Sequence, residues 1–264
     1  MEWWLGYVAI GAVVGFFAGL LGIGGGAIMV PLLVMLFEAQ GLPKSHVLHL
    51  AVGTAMATIL FTSVSSVRAH AARGAIRWDI ARNVTPGILA GGLAGSWIAS
   101  FIPPVLLAAL FTAVIYVAAT HLLLNRSPKP SRQPPGIAGM FVFGFLVSAL
   151  SAFAAIGGAF MTVPFMLWCN VPMLQAIGTA AVIGFPIALS GTIGFVATGL
   201  HQTGLPPYSV GFVFLPALGG IVVASMLTAP AGAVTAHRLP TVWLKRIFAV
   251  LFYVMATRML LSFV

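Results

Sequence analysis

Two glycine clusters have the composition to hold an anion without any charged side chain. The first is Gly22, Gly24, Gly25 and Gly26, followed by Pro31; the second is Gly157 and Gly158, followed by Pro164. Glycine lets an anion approach the backbone with no side chain in the way. Proline lacks an N–H and suits the first turn of a helix, so the first cluster predicts a half-helix beginning just after Gly26. The free N–H groups at such a start carry roughly half a positive charge and attract anions. Two starts facing each other, after Gly26 and after Gly158, would supply about one positive charge.

Hydroxyls could add hydrogen bonds to that site. Thr54 and Thr179 occupy matching Gly-Thr-Ala motifs, and Ser65, Ser66 and Ser190 follow on the same segments. Two structural alternatives stand beside this reading. Serine and threonine in membrane helices often bond their own backbone. Glycines at four-residue spacing, as in Gly11, Gly15 and Gly19 or Gly87, Gly91 and Gly95, also permit close helix packing.

Other chemistries are less well equipped. His46 and His49 share one helical face, but no cysteine or carboxylate in that segment completes a metal site, so no metal and no cofactor is expected. Ser190-Gly191 has no neighbouring acid or histidine to act as base, and no His-Glu-x-x-His is present, which disfavours an intramembrane enzyme. The acids Glu2, Glu38 and Asp79 all fall at segment ends, leaving no carboxylate within a span to relay protons.

The elements that position the glycines are set by composition. Fifteen charged residues in 264, or 6%, compare with roughly a quarter in a soluble domain. The chain is 61% hydrophobic with a mean hydropathy of +1.12, so its apolar surface is buried in lipid. About 20 apolar residues cross a bilayer as a helix. Eight apolar segments result, near 3–37, 46–70, 80–101, 104–124, 137–168, 172–200, 208–235 and 242–263. Met1-Glu2-Trp3-Trp4 carries an acid where a secretory signal carries basic residues, so no cleavable signal is expected. The lone Cys169 excludes a disulfide framework. The net charge of +9 is split among short connections, which argues against a nucleic-acid partner and leaves the lipid bilayer and a small anion.

The halves repeat. Adding 133 to Gly11, Gly15, Gly19, Ile23-Gly24-Gly25 and Pro31 gives Gly144, Ser148, Ala152, Ile156-Gly157-Gly158 and Pro164. At an offset of 125, Ala51-Val52-Gly53-Thr54-Ala55 matches Ala176-Ile177-Gly178-Thr179-Ala180. The eight-residue difference reads as a longer connection around Glu38 to His46 in the first half. The organisation is therefore a first repeat over 1–124, a linker over 125–136 and a second repeat over 137–264. Internal repeats with broken segments are characteristic of secondary transporters.

Charge placement orients the repeats. If the first segment of each half folds back at its glycines as a re-entrant hairpin, loops 68–82, 126–132 and 238–246 share one side. Ten cations then face the cytoplasm, against Lys44 outside and Arg258 on the last span, as the positive-inside rule requires. The expected fold is an all-α polytopic membrane protein of two inverted four-segment repeats.

Gly19-Leu20-Leu21-Gly22-Ile23-Gly24-Gly25-Gly26 with Pro31, its degenerate second copy and the paired Gly-Thr-Ala motifs resemble the TauE/SafE sulfite exporter family over essentially the whole chain. The resemblance implies a multi-pass carrier of a bacterial inner membrane, exporting sulfite, sulfoacetate or related small anions; an anion channel is the alternative. The second copy reads Ala155-Ile156-Gly157-Gly158-Ala159 and lacks two of the first motif's glycines. The first hairpin is therefore expected to make the closer substrate contact.

Overall fold

The computed structural model describes residues 3–21, 25–72, 74–124, 133–236 and 241–263. In chain order the helices are α1 (Trp3–Leu21), α2 (Gly26–Ala39), α3 (Lys44–Ala71), α4 (Trp78–Phe101), α5 (Pro104–Leu124), α6 (Ile137–Ala154), α7 (Ala159–Trp168), α8 (Met173–Gly199), α9 (Leu215–Ala236) and α10 (Thr241–Phe263). Two predicted segments are broken at their glycines, giving α1 with α2 and α6 with α7; each of the other six contributes a single helix. Seven of the described helices, α3 to α6 and α8 to α10, are long and apolar enough to cross a membrane. One departure from an all-α fold is a two-stranded hairpin, β1 (Ser209–Val210) and β2 (Val213–Phe214), with Ser209 opposite Phe214.

Each broken segment closes on itself. Tyr7 near the start of α1 donates a 2.9 Å hydrogen bond to Gln40 Oε1 just beyond α2, and its ring meets Phe37 edge-on at 6.5 Å. The chain thus leaves α2 beside the point where it entered α1. In the second half, Phe143 of α6 stacks on Phe165 of α7 with ring centroids 3.7 Å apart.

The eight extra residues of the first half are helix, not loop, which corrects the expectation of a longer connection. α2 has 14 residues where α7 has 10, and the turns that follow are built alike. Gly41 and Asn170 both adopt positive φ, while Leu42 N–H bonds Phe37 O and Val171 N–H bonds Met166 O. Both turns end in a proline, Pro43 or Pro172, at the N-cap of the next helix. The remaining four residues lengthen the start of α3, which runs nine residues from Lys44 to Gly53 where α8 runs five from Met173 to Gly178. An insertion of about one turn preserves a helix's facing and costs little, whereas a long loop would leave polar backbone in lipid.

Packing follows the repeat. α1 lies on α9 and α6 on α4, while α3 crosses α8 and α5 pairs with α10. Exchanging the halves turns each of these pairs into another or into itself. The close packing expected of the spaced glycines is present: Gly87 and Gly91 of α4 meet the carbonyls of Phe141 and Phe145 on α6. Gly11 and Gly15 of α1 lie against Ile221 and Ser225 of α9.

The outer pair carries a reciprocal polar clasp. Tyr116 and Thr257 hydroxyls are 2.6 Å apart, and Thr120 and Tyr253 hydroxyls 2.5 Å, with the two tyrosine rings edge-on at 4.9 Å. Interhelical bonds of this kind average about 0.6 kcal/mol in a membrane. Replacing Tyr116 by Phe is expected to lower stability by about that amount, and Tyr116→Phe with Thr257→Val by no more than the single changes together. Thermal unfolding in detergent checks both.

Candidate functional site

The two glycine breaks meet in the buried interior. Gly26, the first residue of α2, packs against the carbonyl oxygen of Ala155, so closely that a Cβ there would collide with it. Ile59 of α3 closes the same contact. Gly25 is the N-cap of α2 with φ 64°, and Gly158 is the N-cap of α7 with φ 72°. Neither helix start has a side-chain cap. One residue in, the N–H groups of Ala27 and Phe160 have no backbone acceptor among the described residues. These are the donors a helix start leaves open. Gly22 and Gly24 lie outside the described residues.

The second break fits a degenerate sequence into the same shape. Ala155 stands where the first motif has Gly22 and adopts φ 48°, a left-handed conformation that costs a non-glycine residue roughly 1–2 kcal/mol. Gly158 faces Ile187 of α8 and Val147 of α6, and the Gly157 carbonyl lies by Gly184. The prolines correct one expectation. Because Gly25 and Gly158 cap the helices, Pro31 and Pro164 fall at the sixth residue, in the second turn and not the first. Each lacks the N–H that would bond the carbonyl four residues back, of Ala27 or Phe160.

Thr54 and Thr179 do matching jobs in the two halves. Thr54 Oγ1 accepts the Phe214 N–H at 3.0 Å, and Thr179 Oγ1 accepts the Arg77 N–H at 2.9 Å. Those acceptors hold the last residue before α9 and the last before α4. The preceding glycines make room for the same loops, Gly53 under the Phe212 carbonyl and Gly178 under that of Ala75. Each Gly-Thr pair thus docks a loop that opens a helix of the other half's partner set. Ser190 donates to its own helix at Pro186 O, 2.8 Å, and sits beside Gly92 of α4 and Ser148 of α6.

No cluster of three or more metal-ligating side chains occurs among the described residues. His49 Nε2 bonds the Ala99 carbonyl at 3.1 Å and its ring lies 5.2 Å from that of Phe212, while His46 is also beside Phe212. Arg77 and Asp79 pair at 2.6 Å at the edge of α4. Arg258 is exposed on the same outward face of α10 as Val250, Val254 and Leu261, so its charge lies away from the breaks. Residues missed in the sequence also line the second break. A cleft there is bounded by Val114, Leu150, Ser151, Gly158, Phe160 and Met161.

Comparison with known proteins is decided by a single match. Residues 7–259 fit the family described as sulfite exporter TauE/SafE. The chain belongs to the TauE/SafE sulfite exporter family. A Haemophilus influenzae relative named "Probable membrane transporter protein" is 32% identical over 254 residues, 96% of each chain. A Bacillus subtilis relative, "Probable membrane transporter protein YdhB", is 27% identical over 240 residues, covering 88% of this chain and 90% of that one. A Methanocaldococcus jannaschii relative, also named a probable membrane transporter protein, is 26% identical over 217 residues, 79% and 77% of the two chains. No solved structure matches. Family and helices together make this a multi-pass membrane protein of the transporter class.

Proposed function

We propose that this TauE/SafE member exports a small sulfur-containing anion, such as sulfite or a sulfonate, by alternating access of its two halves. The observation that carries the reading is the meeting of the breaks, where Gly26 at the start of α2 touches Ala155, three residues before the N-cap of α7, and neither helix start is capped by a side chain. Broken helices whose N-termini point at an anionic group are a recurrent device of secondary transporters. The anion is held by backbone N–H groups after Gly25 and Gly158, with Gly22, Gly24, Gly26 and Gly157 giving it access. In this arrangement Thr54, Thr179 and Ser190 act one layer out, and Thr54 and Thr179 fix loops around the site. An inside-negative potential assists exit by about 2.3 kcal/mol per charge per 100 mV.

The hairpins are re-entrant and the repeats inverted in this reading. The Tyr7–Gln40 bond and the Phe143–Phe165 stack support it, because each broken segment returns to the level from which it started. α6 is long enough to cross alone, but α7 carries the chain back. The contact of His49 at the start of α3 with Ala99 at the end of α4 is what consecutive crossings give. With six crossings the basic loops are cytoplasmic and the C-terminus lies outside. Alkaline phosphatase fused after Val264 is therefore expected to be active and a fluorescent protein there dark; the opposite result removes the six-crossing topology.

Transport itself is tested in liposomes containing the purified protein. Uptake of sulfite or sulfoacetate is expected to saturate with concentration and to follow an imposed potential, with acetate and taurine as comparison solutes. A flux that never saturates identifies a channel, and no flux of any of these anions defeats the export reading.

A further inference from the structure

Buried hydroxyls in this protein are satisfied almost without exception. Thr54, Thr58, Ser63, Ser96, Thr112, Thr162, Thr179, Ser190, Thr198 and Ser225 each have a protein hydrogen-bond partner. Two on α6 differ: the Ser148 oxygen is fully buried with no partner among the described residues, and Ser151, 4% exposed, makes no hydrogen bond among them and lines a cleft. Nothing in a helix prevents a serine from bonding the carbonyl four residues back, and most serines and threonines here do so. An unused buried hydroxyl is costly, so a pair on one helix calls for a partner that is absent from the polypeptide.

Their surroundings say what that partner is. Ser151 lines the cleft at the second break, together with Gly158, Phe160 and Met161 on the start of α7, Val114 of α5 and Leu150 and Ile156. The cleft leaves about 10 Å³ for a water-sized group, room for one oxygen atom. Phe160, at the positive end of α7, lines the same cleft, and its N–H has no backbone acceptor among the described residues. A hydroxyl and a helix-start N–H that can both donate towards one oxygen-sized space suit an oxygen of an anion. One turn back on α6, Ser148 faces Gly92 and Ser190, so the unsatisfied hydroxyls run from the cleft towards α8.

We propose that Ser151 is the side chain that binds the transported oxyanion, donating its hydroxyl to an oxygen that the Phe160 N–H also receives. The inference rests on the export reading above and deepens it: the second break, with the degenerate motif, supplies the side-chain donor. The corresponding residue of the first half, 133 positions earlier, is Ala18, which has no hydroxyl to give. The two halves therefore bind the anion unequally, the first through backbone alone.

The test is binding and flux of sulfoacetate and sulfite with the full chain, comparing wild type with Ser151→Ala and Ser225→Ala. Loss of a hydrogen bond to a charged ligand is expected to weaken affinity by about tenfold or more in Ser151→Ala. The same variant is expected to be as thermally stable as wild type, or more so, because an unsatisfied hydroxyl has been removed; a merely structural serine would lose stability instead. Ser225→Ala, whose hydroxyl is spent on its own helix at Val222 O, keeps wild-type affinity. Ser151→Cys in a Cys169→Ser background is expected to react with a thiol reagent more slowly when sulfoacetate is present. Unchanged affinity in Ser151→Ala while wild type binds and transports overturns this proposal and leaves the export reading intact. A wild-type protein that neither binds nor moves either oxyanion overturns both.

Discussion

Gly26→Ala is expected to abolish transport and to destabilise the protein by about 1–3 kcal/mol or more, the range for overfilling a packed core. The new Cβ would coincide with the Ala155 carbonyl oxygen, which is backbone and cannot rotate away. Ala155 is completely buried and fixed at φ 48°, so relief comes only by separating the two breaks. The direction of the effect is diagnostic. Gly26 is the first residue of α2 and has no positive φ, so alanine there meets no backbone penalty and would not ordinarily destabilise the helix. A loss is therefore attributable to the contact between halves. Gly41→Ala supplies the contrast: its φ of 72° strains alanine, but nothing lies within 4 Å of the added carbon. Gly41→Ala is expected to lose only about 1–2 kcal/mol and to keep transporting. Adding Ala155→Gly to Gly26→Ala removes backbone strain but not the colliding oxygen, so the double variant stays inactive. Liposome flux and thermal unfolding on the same preparations separate these outcomes; a Gly26→Ala protein that transports normally would show that the breaks need not touch.

The breaks are legible because adjacent glycines there are followed within seven residues by a proline, at Gly25-Gly26 with Pro31 and Gly157-Gly158 with Pro164, whereas the glycines at four-residue spacing lie within helices. Gly25 and Gly158 are legible as caps for that reason, and the helices on either side fall close to the segments read from charge and hydropathy alone. The repeat was legible where it used glycine and proline, and invisible where it used common residues. Tyr116-Val117-Ala118-Ala119-Thr120 and Tyr253-Val254-Met255-Ala256-Thr257 match at an offset of 137, and their tyrosines and threonines bond one another across α5 and α10. A comparison allowing a third offset would have found them. The place of the eight inserted residues was misread because an added helical turn and an added loop look alike in an apolar stretch. Ser148 and Ser151 could not be separated from the other hydroxyls by type or spacing. What distinguishes them is the lack of a partner, a property of packing in three dimensions.

The Gly-Thr pairs lead to the second large effect, and it should appear in the half opposite the change. In Gly178→Ala the added Cβ falls on the Ala75 carbonyl, and in Gly53→Ala it falls on that of Phe212. Each loop is held again two residues later by the neighbouring threonine, which accepts the N–H of Arg77 or Phe214. A loop pushed off its glycine also loses that bond, leaving a backbone N–H unpaired at a cost of about 1–3 kcal/mol. Gly178→Ala is thus expected to loosen residues 75–77 before α4, more than a hundred positions away, and leave 209–214 in place. Gly53→Ala should do the reverse. In a Cys169→Ser background, Ile76→Cys should gain thiol reactivity with Gly178→Ala and not with Gly53→Ala, while Ser209→Cys responds only to Gly53→Ala. Both loops end where α4 and α9 begin, and those helices carry α6 and α1, the first arms of the two hairpins. Loosening either loop should therefore also slow transport. Equal reactivity at both loops in both variants would mean that the glycines act by loosening the whole molecule, not by docking one loop each.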